Sequence, residues 1–477
     1  MDADGGTSSG ALAYKRWMPT PRVPRRLVGA VVLGTLLNPL NSSMIAVALT
    51  RIQRDFHVTV GEVTWLISGF FLAAAIGQPL MGRLADLFGP RRVFLTGLGL
   101  VFATGLLAPL VPGFAWLVVV RGLQALGTSA AYPAGLALIR AATGDPTGRP
   151  PAAALGSMNI AANVSAALGP VIGGFLVALA GWQAIFLVNV PVTAVGALAA
   201  AVWLPVDARK ARAGDFSLVP LLRLIDVGGI LLFGLTIVSL LGFLLSLSTR
   251  PLWVLLASLP LAGGLLLWHE QRRLQPFLDL RMLRSSPRLI GVFVQFAGVS
   301  TVFYAVYFSL PLWFEQARGF SADQAGLLLL PVAGLGILVT PVAAALVSRR
   351  GPRPALVIGA IALTAGTLLM TLFDQSTPFL TLVAVGAVLG VPNAFNNLGL
   401  QAALYEATRP EHTGAAGGLF QTFRYIGAIL STSLIGLVFG THVTSSGLHQ
   451  IALAIAALSA ILVIASIAAP RARPAGW

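Results

Sequence analysis

The stretch GRLADLFGPRR, residues 82–92, places one Asp and three Arg in a chain that elsewhere avoids charge. On either side of it lie apolar runs, 62–82 and 92–110. Each matches the roughly 20 residues that a helix needs to cross a bilayer core. The whole chain repeats this alternation: 56% of its 477 residues are hydrophobic and 10% are charged. A water-soluble globule built from it would lack the polar residues to cover its surface. Fourteen such runs lie between residues 27 and 469. Backbone groups in lipid must be satisfied within each segment, and the runs are too long for barrel strands, so the expectation is an all-α polytopic membrane protein of 14 transmembrane helices. The 52 Gly residues fit this reading, because Gly lets helices approach closely in lipid.

A net charge of +15 raises the question of nucleic acid. Of the 31 Lys and Arg residues, 25 fall in the two tails and the even-numbered loops, four in the odd-numbered loops, and two, Arg121 and Arg424, inside spans. By the positive-inside rule both termini are cytoplasmic, and the basic excess reports topology, with no nucleic-acid partner expected. The stretch 82–92 is then a cytoplasmic hairpin between the second and third spans. Residues 1–26 are polar and basic without a cleavage-type signal, so the first span reads as an uncleaved anchor. The chain has no Cys and therefore neither disulfide nor thiolate chemistry.

Compared with itself at an offset of 262 residues, the chain shows an internal repeat. QPLMGRLADLFGPRR at 78–92 meets TPVAAALVSRRGPRP at 340–354, so Pro79 pairs with Pro341, Gly89 with Gly351, Pro90 with Pro352 and Arg91 with Arg353. The organisation this predicts is a cytoplasmic tail (1–26), a six-helix bundle (27–204), cytoplasmic linkers with an inserted two-helix hairpin (205–288), a second six-helix bundle (289–469) and a C-terminal tail (470–477). Within the second linker Phe277, Leu280 and Leu283 stand at helical spacing among Arg residues, the pattern of a surface helix on anionic lipid or of a solvated linker. Duplicated halves are typical of secondary transporters, whose substrate sites lie at the midplane between them.

GRLADLFGPRR resembles the signature between spans two and three of the major facilitator superfamily, with Leu87 where a basic residue is usual. The resemblance implies a conformational latch formed by Gly82, Asp86, Gly89, Arg91 and Arg92. LVVVRGLQALGTSA (117–130), GSMNIAANVSAALGPVIGG (156–174) and GWQAIFLVNVP (181–191) resemble the motifs of the fourteen-span drug/proton antiporter branch. In the second of these, Gly169-Pro170 removes a backbone donor and kinks the fifth helix, while Gly169, Gly173 and Gly174 give a face for close contact. LNPLNSSMIAVALT (37–50) resembles the stretch where the branch carries an Asp, replaced here by Asn41, which cannot titrate.

Every Asp and Glu lies in a tail, a loop or a span end. An Arg at a helix centre costs roughly 2.5–3.5 kcal/mol on insertion scales, so Arg121 and Arg424 need a cavity, carbonyl partners or an anionic substrate group. Arg121, matched to the family motif with Gln124, is read as functional. Arg424 is read as either functional or structural. Amides and aromatics join them as candidates for a substrate cavity: Asn38 and Asn41 in span one, Asn159 and Asn163 in span five, Gln295, Tyr304 and Tyr307 in span nine. Asn393, Asn396, Asn397 and Gln421 in spans twelve and thirteen complete the set. Each of these also suits helix packing taken singly; as a group they describe a polar, mostly uncharged pathway.

Neither Lys15 nor Lys210 ends a phosphate-binding loop, the five His residues form no metal cluster, and the GTSSG at 6–10 lies in the polar tail. No enzyme, cofactor or metal centre is expected. The reading is a monomeric multi-pass protein of a bacterial cell membrane, in contact with lipid, that exports small amphipathic or hydrophobic molecules by alternating access coupled to protons. The alternatives are an uncoupled facilitator or symporter and, from another class, a non-transporting sensor or lipid-interacting scaffold.

Overall fold

Apolar runs without internal turn chemistry fold here as long helices. The structure is a computed structural model that describes residues 24–143, 152–207, 226–246, 251–273, 286–408 and 413–468. The polar tail up to residue 23, the C-terminal tail 470–477 and the segment holding Phe277, Leu280 and Leu283 lie outside the described residues. In order the helices are α1 Arg25–Val47, α2 Val60–Phe88, α3 Pro90–Leu110, α4 Phe114–Ala142, α5 Ala152–Ala180, α6 Ala184–Trp203, α7 Val227–Ser246 and α8 Trp253–Arg272. They continue as α9 Pro287–Gln316, α10 Ala322–Arg350, α11 Pro352–Leu372, α12 Phe379–Ala407, α13 Thr413–Phe439 and α14 Ser445–Ala468. Among the described residues there is no strand, and thirteen helices are long and apolar enough to cross a membrane. The fourteenth expected span corresponds to α7, whose apolar stretch Val227–Leu240 is shorter.

Helices α1–α6 pack on one another, and so do α9–α14. The two groups meet most extensively along two pairs, α2 with α13 and α5 with α10, with α9 also reaching the first group, while α7 pairs with α8 and leans on both α2 and α13. Proximity of Gly89, Asp207 and Arg91 at one end, and of Arg353 and the end of α14, marks the end where the helices start and finish; we call it the near end and the opposite one the far end. The buried apolar residues are distributed unequally between the two. Toward the near end they form separate cores, one within α1–α6 built on Leu27, Phe94 and Leu138, and others within α9–α14 built on Phe293, Leu356 and Phe395. From mid-depth to the far end a single core, including Phe71, Phe186, Phe308 and Leu328, runs through both groups. Apolar contact joins the halves at the far end and lapses at the near end.

The near-end hairpin shows why its odd residues are there. Gly89 has φ 99°, a left-handed conformation that suits Gly, and a Cβ at that position would collide with the Asp207 carboxylate. Pro90 opens α3 at its first position, where no backbone donor is needed. The next two donors, the backbone N–H groups of Arg91 and Arg92, go to Asp207 Oδ1 and Oδ2, each at 3.0 Å. Asp207 thus caps α3 from beyond the end of α6, placing its charge on the positive end of the helix dipole. Arg91 adds a 2.6 Å bond from Nη2 to the Ala201 carbonyl of α6. The turn recurs 262 residues later: Gly351 has φ 76°, Pro352 opens α11, and Arg353 Nη2 donates to the Ile467 carbonyl of α14. Gly82 packs on Pro133 of α4, and Asp86 and Arg92 are exposed.

If Asp207 holds α3 to α6 in this way, Asp207→Ala lowers stability by about 1 kcal/mol and Asp207→Asn by less. Apparent melting temperatures of detergent-purified variants check this; equal values for all three chains would contradict it.

Candidate functional site

The amides of α1 are held inside their own half. Pro39 follows a break at Leu36, after which α1 resumes as Leu37–Met44. Asn41, 1% exposed, forms a reciprocal amide pair with Asn189 of α6: Asn41 Nδ2 to Asn189 Oδ1 at 2.6 Å and Asn189 Nδ2 to Asn41 Oδ1 at 2.9 Å. Arg121 of α4, also 1% exposed, donates from Nη2 to the Asn41 carbonyl and from Nη1 to Gln124 Oε1, both at 2.6 Å. Its guanidinium lies 4.4 Å from the centroid of the Phe70 ring, and Phe186 approaches from another side at 5.7 Å. Carbonyl, amide and aromatic faces therefore stand where a carboxylate would be expected, and among the described residues no ion pair includes Arg121. In this conformation Asn41, Arg121 and Gln124 join α1, α4 and α6 rather than line an opening. Asn38 donates to Thr128 Oγ1 at 3.1 Å and serves the same junction.

The seam between the halves is polar and aromatic. On α2 and α13, Ser68 meets Thr432 at 2.6 Å, Gln78 Nε2 donates to Tyr425 Oη at 2.7 Å, and Phe71 stacks on Tyr425 with centroids 5.5 Å apart. On α5 and α10 the backbones themselves approach. A Cβ on Gly174 would strike the Ala322 carbonyl, and one on Gly326 would strike the Pro170 carbonyl. Gly169 and Gly173 admit Ser43 and Met44 of α1. The small residues of α5 thus serve two contacts, one within the first half and one across the seam.

Pro170 has a further consequence. Helix α5 runs through it unbroken, but proline carries no N–H, so the carbonyl four residues earlier, Ala166, lacks its helical donor. Tyr307 of α9, from the opposite half, supplies one: its hydroxyl donates to the Ala166 carbonyl at 2.9 Å. Asn163 lies two turns before Pro170 on the same face of α5 and is exposed. The Ala166 carbonyl is thus bonded across the seam, while Asn163, one turn nearer the near end, is exposed. Asn159 stands on the same helix, with its side chain outside the described set.

In the second half, Arg424 of α13 is half-buried beside the seam. Its Nε donates to Tyr304 Oη at 3.1 Å, and its guanidinium sits 5.8 Å from the Tyr304 ring centroid. Tyr304 in turn contacts Phe71 of the first half, with centroids 5.1 Å apart. Gln421, one turn earlier on α13, is partly exposed. Asn393 and Asn397 bond to each other along α12. Asn396 is fully buried against Gly359 of α11, and Gln295 donates to Ser466 of α14 at 2.7 Å, so these two amides pack helices of one half together. At the far end Gln316 Nε2 crosses to Gln53 Oε1 at 2.7 Å, and Glu315 hydrogen-bonds Thr50 while its Oε1 is buried without a partner.

The sequence pattern of the Major Facilitator Superfamily matches residues 31–432. The chain belongs to that superfamily. It is a transporter rather than an enzyme, a multi-pass protein of the cell membrane. The facilitator chain is 39% identical to the uncharacterized MFS-type transporter YwoD of Bacillus subtilis (strain 168), over 87% of this chain and 90% of that one. It is 32% identical to the tetracenomycin C resistance and export protein of Streptomyces glaucescens, over 87% and 76%. Its fold superposes with a TM-score of 0.65 on a bacterial homolog of the human lysosomal transporter Spinster, at 16% identity and over 95% and 100% of the chains.

Several residues that join the facilitator's helices were not among the candidates: Asn189, Asp207, Gln78, Tyr425, Ser68 and Thr432. Asn189 carried a signal, an amide inside the apolar run GWQAIFLVNVP. The others become visible only through partners 116 to 364 positions away.

The Pro170–Ala166–Tyr307 arrangement predicts a coupling. Tyr307→Phe removes a hydrogen bond worth about 1 kcal/mol and raises far-end opening about fivefold. Pro170→Ala restores a helical donor to the Ala166 carbonyl and shrinks that effect. Labelling rates of a single Cys at Thr50, 3% exposed here, report the opening. An equal effect of Tyr307→Phe in the parent chain and in the Pro170→Ala background would refute the coupling.

Proposed function

We propose that the protein is a fourteen-helix exporter of small amphipathic or hydrophobic compounds, working by alternating access and coupled to protons, with both termini in the cytoplasm. The observation that carries this reading is the seam. It joins α1–α6 to α9–α14 through polar and aromatic contacts from mid-depth to the far end, and it has parted on the near side of Ala166. With the basic near end in the cytoplasm, this is a state open inward, ready to collect a compound from the cytoplasm or the inner leaflet. The likeness to a Spinster homolog described as inward-facing and unoccupied supports the same assignment. Export as the direction draws on a relative named for resistance and export.

In this reading the turns at Gly89 and Gly351 tie α3 to α6 and α11 to α14, so that each half, 27–204 and 289–469, moves as a unit. The hairpin of α7 and α8 leans on the α2–α13 seam from outside. Proton coupling needs a titratable group at the seam, and Asn41 cannot serve. Glu315 can, because it sits on α9 against Thr50 of the other half, with one oxygen unsatisfied. Protonation lets the carboxyl remain buried while the far end is closed, and opening that end rehydrates it. The neutral Asn41–Asn189 pair favours a second reading, an uncoupled facilitator.

Expression of the chain in an efflux-deficient bacterium raises the inhibitory concentration of part of a chemically mixed compound panel at least about fourfold, and collapsing the proton gradient cancels the gain. Glu315→Gln keeps membrane abundance but loses the dependence on the gradient. Protection that ignores the proton gradient in the parent chain would assign the coupling to another ion; no protection against any compound would contradict export, because an uncoupled facilitator only equilibrates a compound across the membrane.

A further inference from the structure

The charges within the membrane are all of one sign. Among the described residues, every carboxylate stands at a helix end or in a connection: Asp86, Asp207, Asp226, Glu270 and Glu406 toward the near end, Asp55, Glu62, Glu315, Asp323 and Asp374 toward the far end. The two Arg residues within spans have different surroundings. Arg121 is enclosed by Asn41, Gln124, Phe70 and Phe186. Arg424 spends its Nε on Tyr304, and its remaining donors lie in a half-buried position at the level where the seam parts. No ion pair among the described residues includes it. The Tyr304 ring lies against it at 5.8 Å, and Phe71 joins Tyr304 to Tyr425, to which the Gln78 amide of the opposite half is bonded.

The geometry points to Arg424 as the anion-binding element of the transport site, with a flat aromatic molecule bearing a carboxylate, phenolate or sulfonate as its substrate class. This rests on the transport reading above. The physical case has two parts. In a low-dielectric interior an unpaired guanidinium repels a second cation and gains strongly from an anion, and Arg offers parallel N–H donors that match a carboxylate. The packed rings of Tyr304, Phe71 and Tyr425 form an apolar wall beside the guanidinium against which an aromatic body can lie. Tyr304 links the parts: its hydroxyl accepts from Arg424, which aims the guanidinium, and its ring contacts Phe71 across the seam. An anion that engages Arg424 and packs against this ring cluster touches both halves, since Phe71 belongs to the first and Tyr304 and Tyr425 to the second, and that is what binding must do to influence their relative position.

The test uses 1-naphthoate and 1-naphthylmethylammonium, which share a ring and differ in charge. Equilibrium binding to the detergent-purified full chain is measured first, then uptake into proteoliposomes. The parent binds naphthoate about tenfold or more tightly than the ammonium compound. Arg424→Gln removes most of that preference, Arg424→Lys keeps part of it, and Arg424→Glu reverses it. Arg51→Gln, exposed at the far end, changes nothing. Size-exclusion profiles and melting temperatures matching the parent show that the variants fold. Charge preference that follows residue 424 without uptake would uphold the site and overturn the transport reading. Equal or tighter binding of the cation by the parent, absence of binding for both, or a preference unmoved by Arg424→Glu would overturn the proposal.

Discussion

Inside a bilayer a polar group without a partner costs several kcal/mol, and no water is at hand to relieve it. That constraint shapes every part of this seam. Pro170 leaves the Ala166 carbonyl without its helical donor, and the nearest remedy is the Tyr307 hydroxyl of the other half. Ser68 and Thr432, and Gln78 and Tyr425, satisfy each other in the same way across α2 and α13. A contact between halves made of such bonds holds while it is dry, and it can part wherever water reaches both members. The seam is thus strong enough to close one end and replaceable enough to open.

The rigid parts of each half follow from the same rule applied in the opposite sense. Asn41, Asn189, Arg121 and Gln124 bond to one another within α1, α4 and α6, so no motion between the halves need break those bonds. Asp207 and Arg91 tie α3 to α6, and Arg353 repeats the tie between α11 and α14. Glycine does in backbone contact what the amides do in bonding. Gly169 and Gly173 fix α5 to α1, while Gly174 and Gly326 let α5 and α10 touch across the seam. Stiff halves and a separable seam are what the proposed alternating access requires, and the two use different residues.

Much of this was legible in the sequence where the code is local. Gly89-Pro90 and Gly351-Pro352 announce turns because few residues other than Gly adopt positive φ and Pro suits a helix start. Their offset revealed the repeat before any contact was known. Pro170 marked a special point on α5, but its partner Tyr307 lies 141 positions from Ala166 and nothing local pairs them. The two Arg residues show the limit best. Motif resemblance favoured Arg121 as the functional one and left Arg424 open, yet Arg121 is enclosed in its own half and Arg424 stands beside the parting seam. The Arg121 guanidinium bonds α4 to α1, a contact that the motif alone did not specify.

Because the chain has no Cys, pairs of spin labels placed on a clean background can test whether the halves pivot about this seam. The direct measurement is the distance distribution between labels at His57 and Gln375, exposed on opposite halves at the far end, together with that between Arg92 and Arg349 at the near end. Adding a transported compound under a proton gradient should lengthen the first distance and shorten the second in the same sample. Two distances that stay fixed under every condition, or that change in the same direction, would contradict the account.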